Sequence, residues 1–317
     1  MIEAVSFEPG AESRWDDFCA GAINGSFLHS RRFLSYHGDR FDDASLILRD
    51  ADEWVGVLPA ALSPADSTLV ISHPGATYGG IVHQGRLAGN RMIEAFTALT
   101  RHYAQRGLRT LLYKAVPHIY ATVPAQDDLY ALFRHGAVRV RCDLSATLDL
   151  QGLRPPSERR KRGLRKASKH VVVAGGEALL EGVWHVLADN LERRHGARPV
   201  HSLAEIRLLQ ARFPHEIQVR CALIDGAVEA GVVLFNAGRV WHAQYIASSE
   251  RGYEVSALDA VFNALVAEAR ESGARYFDFG TSNEDEGRVL NDGLYRFKHE
   301  FGGGGTAHEF YRLDLAA

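Results

Sequence analysis

Residues 275–305 read RYFDFGTSNEDEGRVLNDGLYRFKHEFGGGG. By pattern this is a short apolar strand from Tyr276 to Phe279, a polar turn, a helix from about Glu286 to His299 and a glycine-rich exit. Leu290, Leu294, Phe297 and Phe301 recur at helical spacing and predict the helix's core face. Asn291, Tyr295 and Lys298 form a polar stripe about 100° round from it, at the margin of the core, where a groove would lie. The spacing by itself names no reaction.

Working outward, Ser256 followed by Asp259 reads as a capping box opening a helix with Leu258, Val261, Phe262, Leu265, Val266 and Ala269 on its apolar face and Gly273 at its end. Upstream lie predicted strands at 217–224, 228–236 and 240–247, and helices at 177–194 and 203–212. From Arg154 to Lys169 eight cations face Glu158 alone, which predicts a basic linker helix over about 157–169. The first half reads as helix around Trp15, Phe18, Phe33 and Leu34, a hairpin of strands at 45–48 and 54–62, and a strand at 68–71. A helix at 87–105, a strand at 110–113, a short helix at 127–134 and an alternating strand to Leu150 follow. Trp54-Val55-Gly56-Val57-Leu58 answers Glu229-Ala230-Gly231-Val232-Val233, and helix–Gly107–strand answers helix–Gly273–strand. Chance similarity and duplication of one unit both account for this.

The 317 residues suit two units, 1–150 and 151–317. A hydrophobic content of 46% supports a sizeable core and argues against disorder, and a net charge of −3 makes general nucleic-acid binding an unsuitable reading of the whole chain. The three cysteines, Cys19, Cys142 and Cys221, are scattered without C-x-x-C spacing, and the 15 histidines show no H-E-x-x-H pattern, so free thiols and no metal are expected. The start, MIEAVSFEPGAE, has no leader-like apolar run, and no apolar stretch is long enough for a membrane span; the expectation is a soluble, cytoplasmic protein.

The pattern F-D-F-G-x-S followed by G-x-x-L-N-x-G-L-x-x-F-K-x-x-F-G-G, carried by Phe277 to Gly280, Ser282, Gly287, Leu290, Asn291, Gly293, Leu294, Phe297, Lys298, Phe301, Gly302 and Gly303, resembles the C-terminal signature of the FemAB-like branch of the GNAT N-acyltransferase superfamily. Pro117 to Tyr120 and Asp128 to Leu132 resemble the same family. The resemblance implies an α/β (α+β) fold of tandem GNAT-like units, each a mixed, mostly antiparallel sheet flanked by helices, with acyl transfer in the second unit. It also implies that Lys298 stabilises negative charge at the transfer centre and that Phe297 lines the donor channel. Donor phosphates would rest on the 248–256 loop, through Arg251, Gly252, Tyr253 and Ser256, although Glu250 and Glu254 depart from the family's usual R/Q-x-x-G-x-G/A there.

Other candidates have two readings each. Asp278 is a general base or an orienting partner of Lys298; equally, it pairs with Arg275 or caps the turn at Ser282. Tyr295 is a proton donor to the leaving group or a packing residue. Of His195 and His201, six apart, His201 is a candidate base or a loop histidine without a task. Tyr78, Gly79, Gln244 and Tyr245 are expected to face a cleft, and Ser282 and Asn291 to contact substrate. Arg165 and Lys166, on one face with Arg162 and Lys169, suit a nucleotide diphosphate or tRNA, or simply solvent. The functional expectation is transfer of an acyl group, most simply acetyl, from acyl-CoA (acetyl-CoA) to the primary amine of a small-molecule or nucleotide-linked acceptor, such as an amino sugar or surface-polymer precursor. The alternatives are an aminoacyl-tRNA-dependent FemAB-type transferase, and a binding protein that kept the fold without catalysis.

Overall fold

The computed structural model describes residues 1–315; the side chains of residues 194 and 195, and with them the His195 imidazole, lie outside that description. In chain order the elements are β1 (Ile2–Ser6), α1 (Glu12–Ala20), α2 (Arg31–Leu34), β2 (Leu46–Asp50), β3 (Glu53–Leu58), β4 (Ala61–Ser63), β5 (Asp66–Ile71), α3 (Asn90–Gln105), β6 (Thr110–Lys114), α4 (Asp127–Arg134) and β7 (Val138–Asp149). There follow α5 (Glu158–Ala167), β8 (Val172–Gly175), α6 (Leu180–His195), α7 (Leu203–Arg212), β9 (Ile217–Ile224), β10 (Ala227–Asn236), β11 (Val240–Ser248), α8 (Glu250–Val255), α9 (Ala257–Glu271), β12 (Tyr276–Thr281), the two-residue strands β13 (Asn283–Glu284) and β14 (Val289–Leu290), α10 (Asp292–His299) and β15 (Gly304–Asp314).

Two compact units result. One holds residues up to Asp143, the segment Asp285–Val289 and the chain from Ala307 onward; the other holds Leu144–Glu284 and Leu290–Thr306. These bounds differ from a division at 150/151 because the last strand returns to pair antiparallel with β6, Phe310 opposite Lys114. In the first unit β1, β2 and β3 form an antiparallel sheet, and β4, β5, β6 and β15 lie side by side in that order. Pro59, with no N–H to donate, interrupts what reads in sequence as one strand over 54–62, so β3 pairs with β2 while β4 turns to β5. The core gathers Phe96, Leu99 and Tyr103 of α3 against Leu46, Leu48, Val55 and Leu111.

In the second unit the strand order is β7-β12-β11-β10-β9-β8. Helix α9 lays Val261, Phe262, Leu265 and Ala269 on the sheet, against Leu234, Trp241, Ala243, Phe277 and Phe279. Burying one such aromatic or aliphatic side chain stabilises by roughly 1.5–3 kcal/mol, so this face fixes the unit. Each unit contains one parallel crossover: β5 to β6 through α3, and β11 to β12 through α8 and α9. Both crossover helices end on a left-handed glycine, Gly107 at φ +80° and Gly273 at φ +83°. The same device at the same place in both units is the physical content of the repeat seen in the sequence.

The stretch that opened the sequence reading differs in one respect. The helix begins at Asp292, not near residue 286, because Asn291 caps it by accepting from the Leu294 N–H at 3.0 Å. Leu290 and Leu294, expected in the core, are 37% and 41% exposed, whereas Lys298, placed on the polar stripe, is 4% exposed. Phe301 is buried as expected.

Candidate active site

A groove of about 900 Å³ opens in the second unit. One wall is α5, whose start is fixed by Ser157 accepting from the Arg160 N–H at 3.3 Å. The helix is amphipathic in an unusual way. It buries Ala167 and the guanidinium of Arg160, which pairs with Asp259 at 3.0 Å and Glu300 at 3.2 Å and lies 4.7 Å over the Phe297 ring. With Arg160 inward, Arg159, Arg162 and Lys166 turn to the groove. The basic segment is therefore a packed wall of the second unit and not a solvated linker, and Arg165 is exposed and does not line the groove.

The floor is the start of α9. Ser256 adopts φ +62° and makes no side-chain cap, so the expected capping box with Asp259 does not form. Asp259 turns to Arg160 instead; burial raises its pKa to about 6, and the Arg160 charge opposes that rise. Gly252, Tyr253, Ser256, Ala257 and Leu258 line this part of the groove. The opening amides of a helix have no intrahelical acceptor, and they carry the positive end of its dipole. Asn291, the cap of α10, and Gly293, Leu294 and Phe297 of that helix also line the groove, Leu294 and Phe297 giving it apolar surface.

Beside the groove, β11 and β12 part. They pair over three rungs only, Val240 with Tyr276, Trp241 with Phe277 and His242 with Asp278. On its other edge β11 carries a bulge against β10 that leaves Gln244 unpaired, so side chains before and after it change faces. At the last rung the Asp278 carboxylate, wholly buried, accepts from Thr147 Oγ1 at 2.8 Å, from Ser145 Oγ, and joins His242 Nδ1 at 2.7 Å. Just beyond, Lys298 Nζ donates to the carbonyls of Gly280 at 3.0 Å and Thr281 at 2.6 Å. Burial lowers the Lys298 pKa to about 8, and the Asp278 charge works against that fall.

The candidates from sequence thus separate. Gly252, Tyr253, Ser256, Phe297, Asn291 and Lys166 line the groove. Arg251 does not: its guanidinium is taken by Asp225 and lies 3.8 Å from Glu229. Asp278 is saturated by donors and closed to solvent, which removes it as a direct base; neither Arg275, which pairs with Asp149, nor Ser282 is its partner. Tyr295 is half-buried with its ring 5.8 Å from that of His299. The His201 Nδ1 is engaged by the Tyr245 hydroxyl, whose pKa burial pushes up to about 12, and Tyr245 stands edge-on to Trp184. Ser282 is buried, its N–H donating to the Leu144 carbonyl at 3.1 Å. Tyr78 and Gly79 are interior to the first unit: the Tyr78 hydroxyl donates to Ser26 Oγ at 3.0 Å, and a Cβ on Gly79 would sit 2.0 Å from the Ser72 carbonyl oxygen.

Arg160, His242, Ser145 and Thr147 were not anticipated. A histidine alternating with Trp241 and Ala243 on an apolar strand is the one local signal for His242. Its register with Asp278 is a long-range fact that local pattern does not carry. Among the described residues no group of His, Cys, Asp and Glu is placed to hold a metal, and no helix is long and apolar enough to cross a membrane.

A family model described as an acetyltransferase (GNAT) domain matches residues 157–298, from the cap of α5 to Lys298. Among solved structures, FemX aligns with a TM-score of 0.70 at 12% identity over 99% of this chain and 97% of its own. The L-PGS of Bacillus licheniformis gives 0.61 at 10% identity over 96% and 91%, and a tandem GNAT protein from the clavulanic acid biosynthesis pathway gives 0.55 at 14% over 100% and 99%. No curated protein matches the sequence.

Proposed function

We propose that the chain, whose residues 157–298 match an acetyltransferase (GNAT) domain, is a FemAB-like N-acyltransferase that moves a short acyl group, most simply acetyl, from acyl-CoA to a primary amine in the second unit. The observation that carries the donor assignment is the meeting of Arg159, Arg162 and Lys166 with the start of α9 across one groove. Cations and helix-start amides converging on a cavity of this size suit a pyrophosphate, and the apolar surface at Leu294 and Phe297 suits the pantetheine arm. Phosphate recognition then rests on α5 and α9 and not on Arg251.

Lys298 has three N–H groups and spends two on the Gly280 and Thr281 carbonyls. The third is the proposed donor to the oxyanion that forms when the amine adds to the acyl carbonyl; a fixed cation in a dry site is worth most there. The acceptor we favour is an amino sugar or surface-polymer precursor, whose amine would approach past the fork between β11 and β12. A second donor, aminoacyl-tRNA, is favoured by the exposed Arg165 and Lys169, which extend the cationic surface of the α5 region beyond the groove. Calorimetric titration with acetyl-CoA, beside filter retention of charged tRNA, separates the two. Binding of acetyl-CoA that weakens about tenfold in Arg162→Ala/Lys166→Ala supports the first. Retention of charged tRNA with no heat from acetyl-CoA replaces it with the second, and no turnover with either donor leaves the non-catalytic protein.

A further inference from the structure

We propose that His242, oriented by Asp278, is the base that takes the proton from the acceptor's ammonium group; this rests on acyl transfer to an amine as read above. At neutral pH a primary amine is protonated and cannot attack, so the site must remove a proton before the carbon–nitrogen bond forms. Asp278 cannot meet the substrate, being wholly buried with both oxygens engaged. His242 can.

The geometry fixes which nitrogen is available. Asp278 Oδ1 accepts from the Ser145 and Thr147 hydroxyls, which holds the carboxylate as an ionised acceptor, so His242 Nδ1 carries the hydrogen of the 2.7 Å bond to Oδ2. The lone pair is left on Nε2, and no hydrogen bond engages that atom among the described residues. Its place is the last paired rung before β11 and β12 separate. The ring packs on Gly280: a Cβ built there would stand 3.4 Å from His242 Cε1 and 3.9 Å from Nε2. The Gly280 carbonyl is one of the two that hold Lys298. Base and oxyanion donor therefore flank one residue, Gly280.

His242 Nε2 takes one proton from the acceptor R–NH3⁺. The freed amine nitrogen bonds to the thioester carbon while the carbonyl π pair moves to oxygen, facing Lys298. Collapse restores the C=O, breaks the carbon–sulfur bond, and the second amine proton passes to the departing thiolate. The imidazolium returns its proton to solvent, giving the amide, free thiol and one proton.

His242→Asn keeps a donor in the Nδ1 position for Asp278 and lacks the Nε2 lone pair. Expected with saturating acceptor amine are a 10²- to 10⁴-fold fall in kcat, unchanged acetyl-CoA affinity and partial recovery with added imidazole. Asp278→Asn, which frees the other tautomer, should cause a comparable fall without imidazole rescue. Wild-type kcat in His242→Asn overturns the proposal while leaving acyl transfer standing. Independently of turnover, the ring ¹⁵N spectrum of the wild-type protein must show Nδ1–H; the Nε2–H tautomer overturns it as well. A wild-type chain inert with acetyl-CoA and with charged tRNA overturns the premise and the proposal together, whereas activity with charged tRNA alone changes the donor and leaves His242 to be judged by the same variants in that assay.

Discussion

The two crossovers fork in the same way and end differently. In the first unit β5 and β6 pair over three rungs, Leu69 to Ile71 against Thr110 to Leu112, and the opening beyond is stitched shut. Ser72 N–H donates to the Leu112 carbonyl at 2.9 Å, Lys114 N–H to Ser72 Oγ at 2.7 Å, and Gly79 N–H to the Lys114 carbonyl at 3.1 Å. The Lys114 ammonium closes the rest, donating to the His73 carbonyl at 3.1 Å and to that of Ala76. In the second unit the ladder stops at His242 and Asp278, and the buried lysine arrives from α10 to hold β12 alone. One lysine plugs a fork and the other props one open, so a buried ammonium on two carbonyls is not in itself a catalytic signature. What separates the two is the geometry of the strands around it.

Lys298→Met against Lys114→Met is the sharpest way to break this comparison. The first should lower kcat by about 10²- to 10³-fold in a thiol-release assay, and the second by less than about threefold. Equal losses in both would mean the forks do not differ in function.

The next effect is on stability. Burial lowers the Lys114 pKa to about 7, with Arg141 repulsion adding to the fall and Asp143 opposing it, and lowers that of Lys298 to about 8. In each case the unfolded chain holds the proton more tightly, so the cost of burial is complete below the folded pKa and is relieved as pH rises toward 10.5. Wild-type stability should therefore gain on Lys114→Met from pH 7 to 10 by a few kcal/mol, and on Lys298→Met by less, over a window starting near pH 8. Urea unfolding of all three proteins at both pH values checks the sign and the order. The smallest effect expected is Asn291→Ala, which removes the α10 cap and should cost about 1 kcal/mol in the same measurement.

Much of the fold is legible where local pattern and burial agree. The expected strand at 217–224 and helices at 203–212 and 127–134 agree with β9, α7 and α4, and in the structure a capping box of Ser202 and Glu205 fixes the start of α7. Helix α10 shows where pattern misleads: Leu290 and Leu294 have the spacing of a core face, yet the groove takes Leu294 and the sheet takes Lys298. Hydrophobicity alone does not distinguish a side chain that packs from one that lines a cavity. The site was half legible. Lys298 and Phe297 stand out in the F-K pair, but His242 acquires meaning only opposite Asp278, and Arg160 only beneath Asp259, pairings that exist once the chain has folded.

Gly280, at φ +76°, has room for a methyl group at ordinary contact distance from the Ala243 carbonyl and the His242 ring. Alanine there would cost about 1–2 kcal/mol for the left-handed backbone, too little to unfold a domain of this size, while laying a carbon across the imidazole. A single methyl group added at this residue would thus serve as a built-in stopper, lowering turnover in a protein that still melts cooperatively and still binds the donor proposed for it.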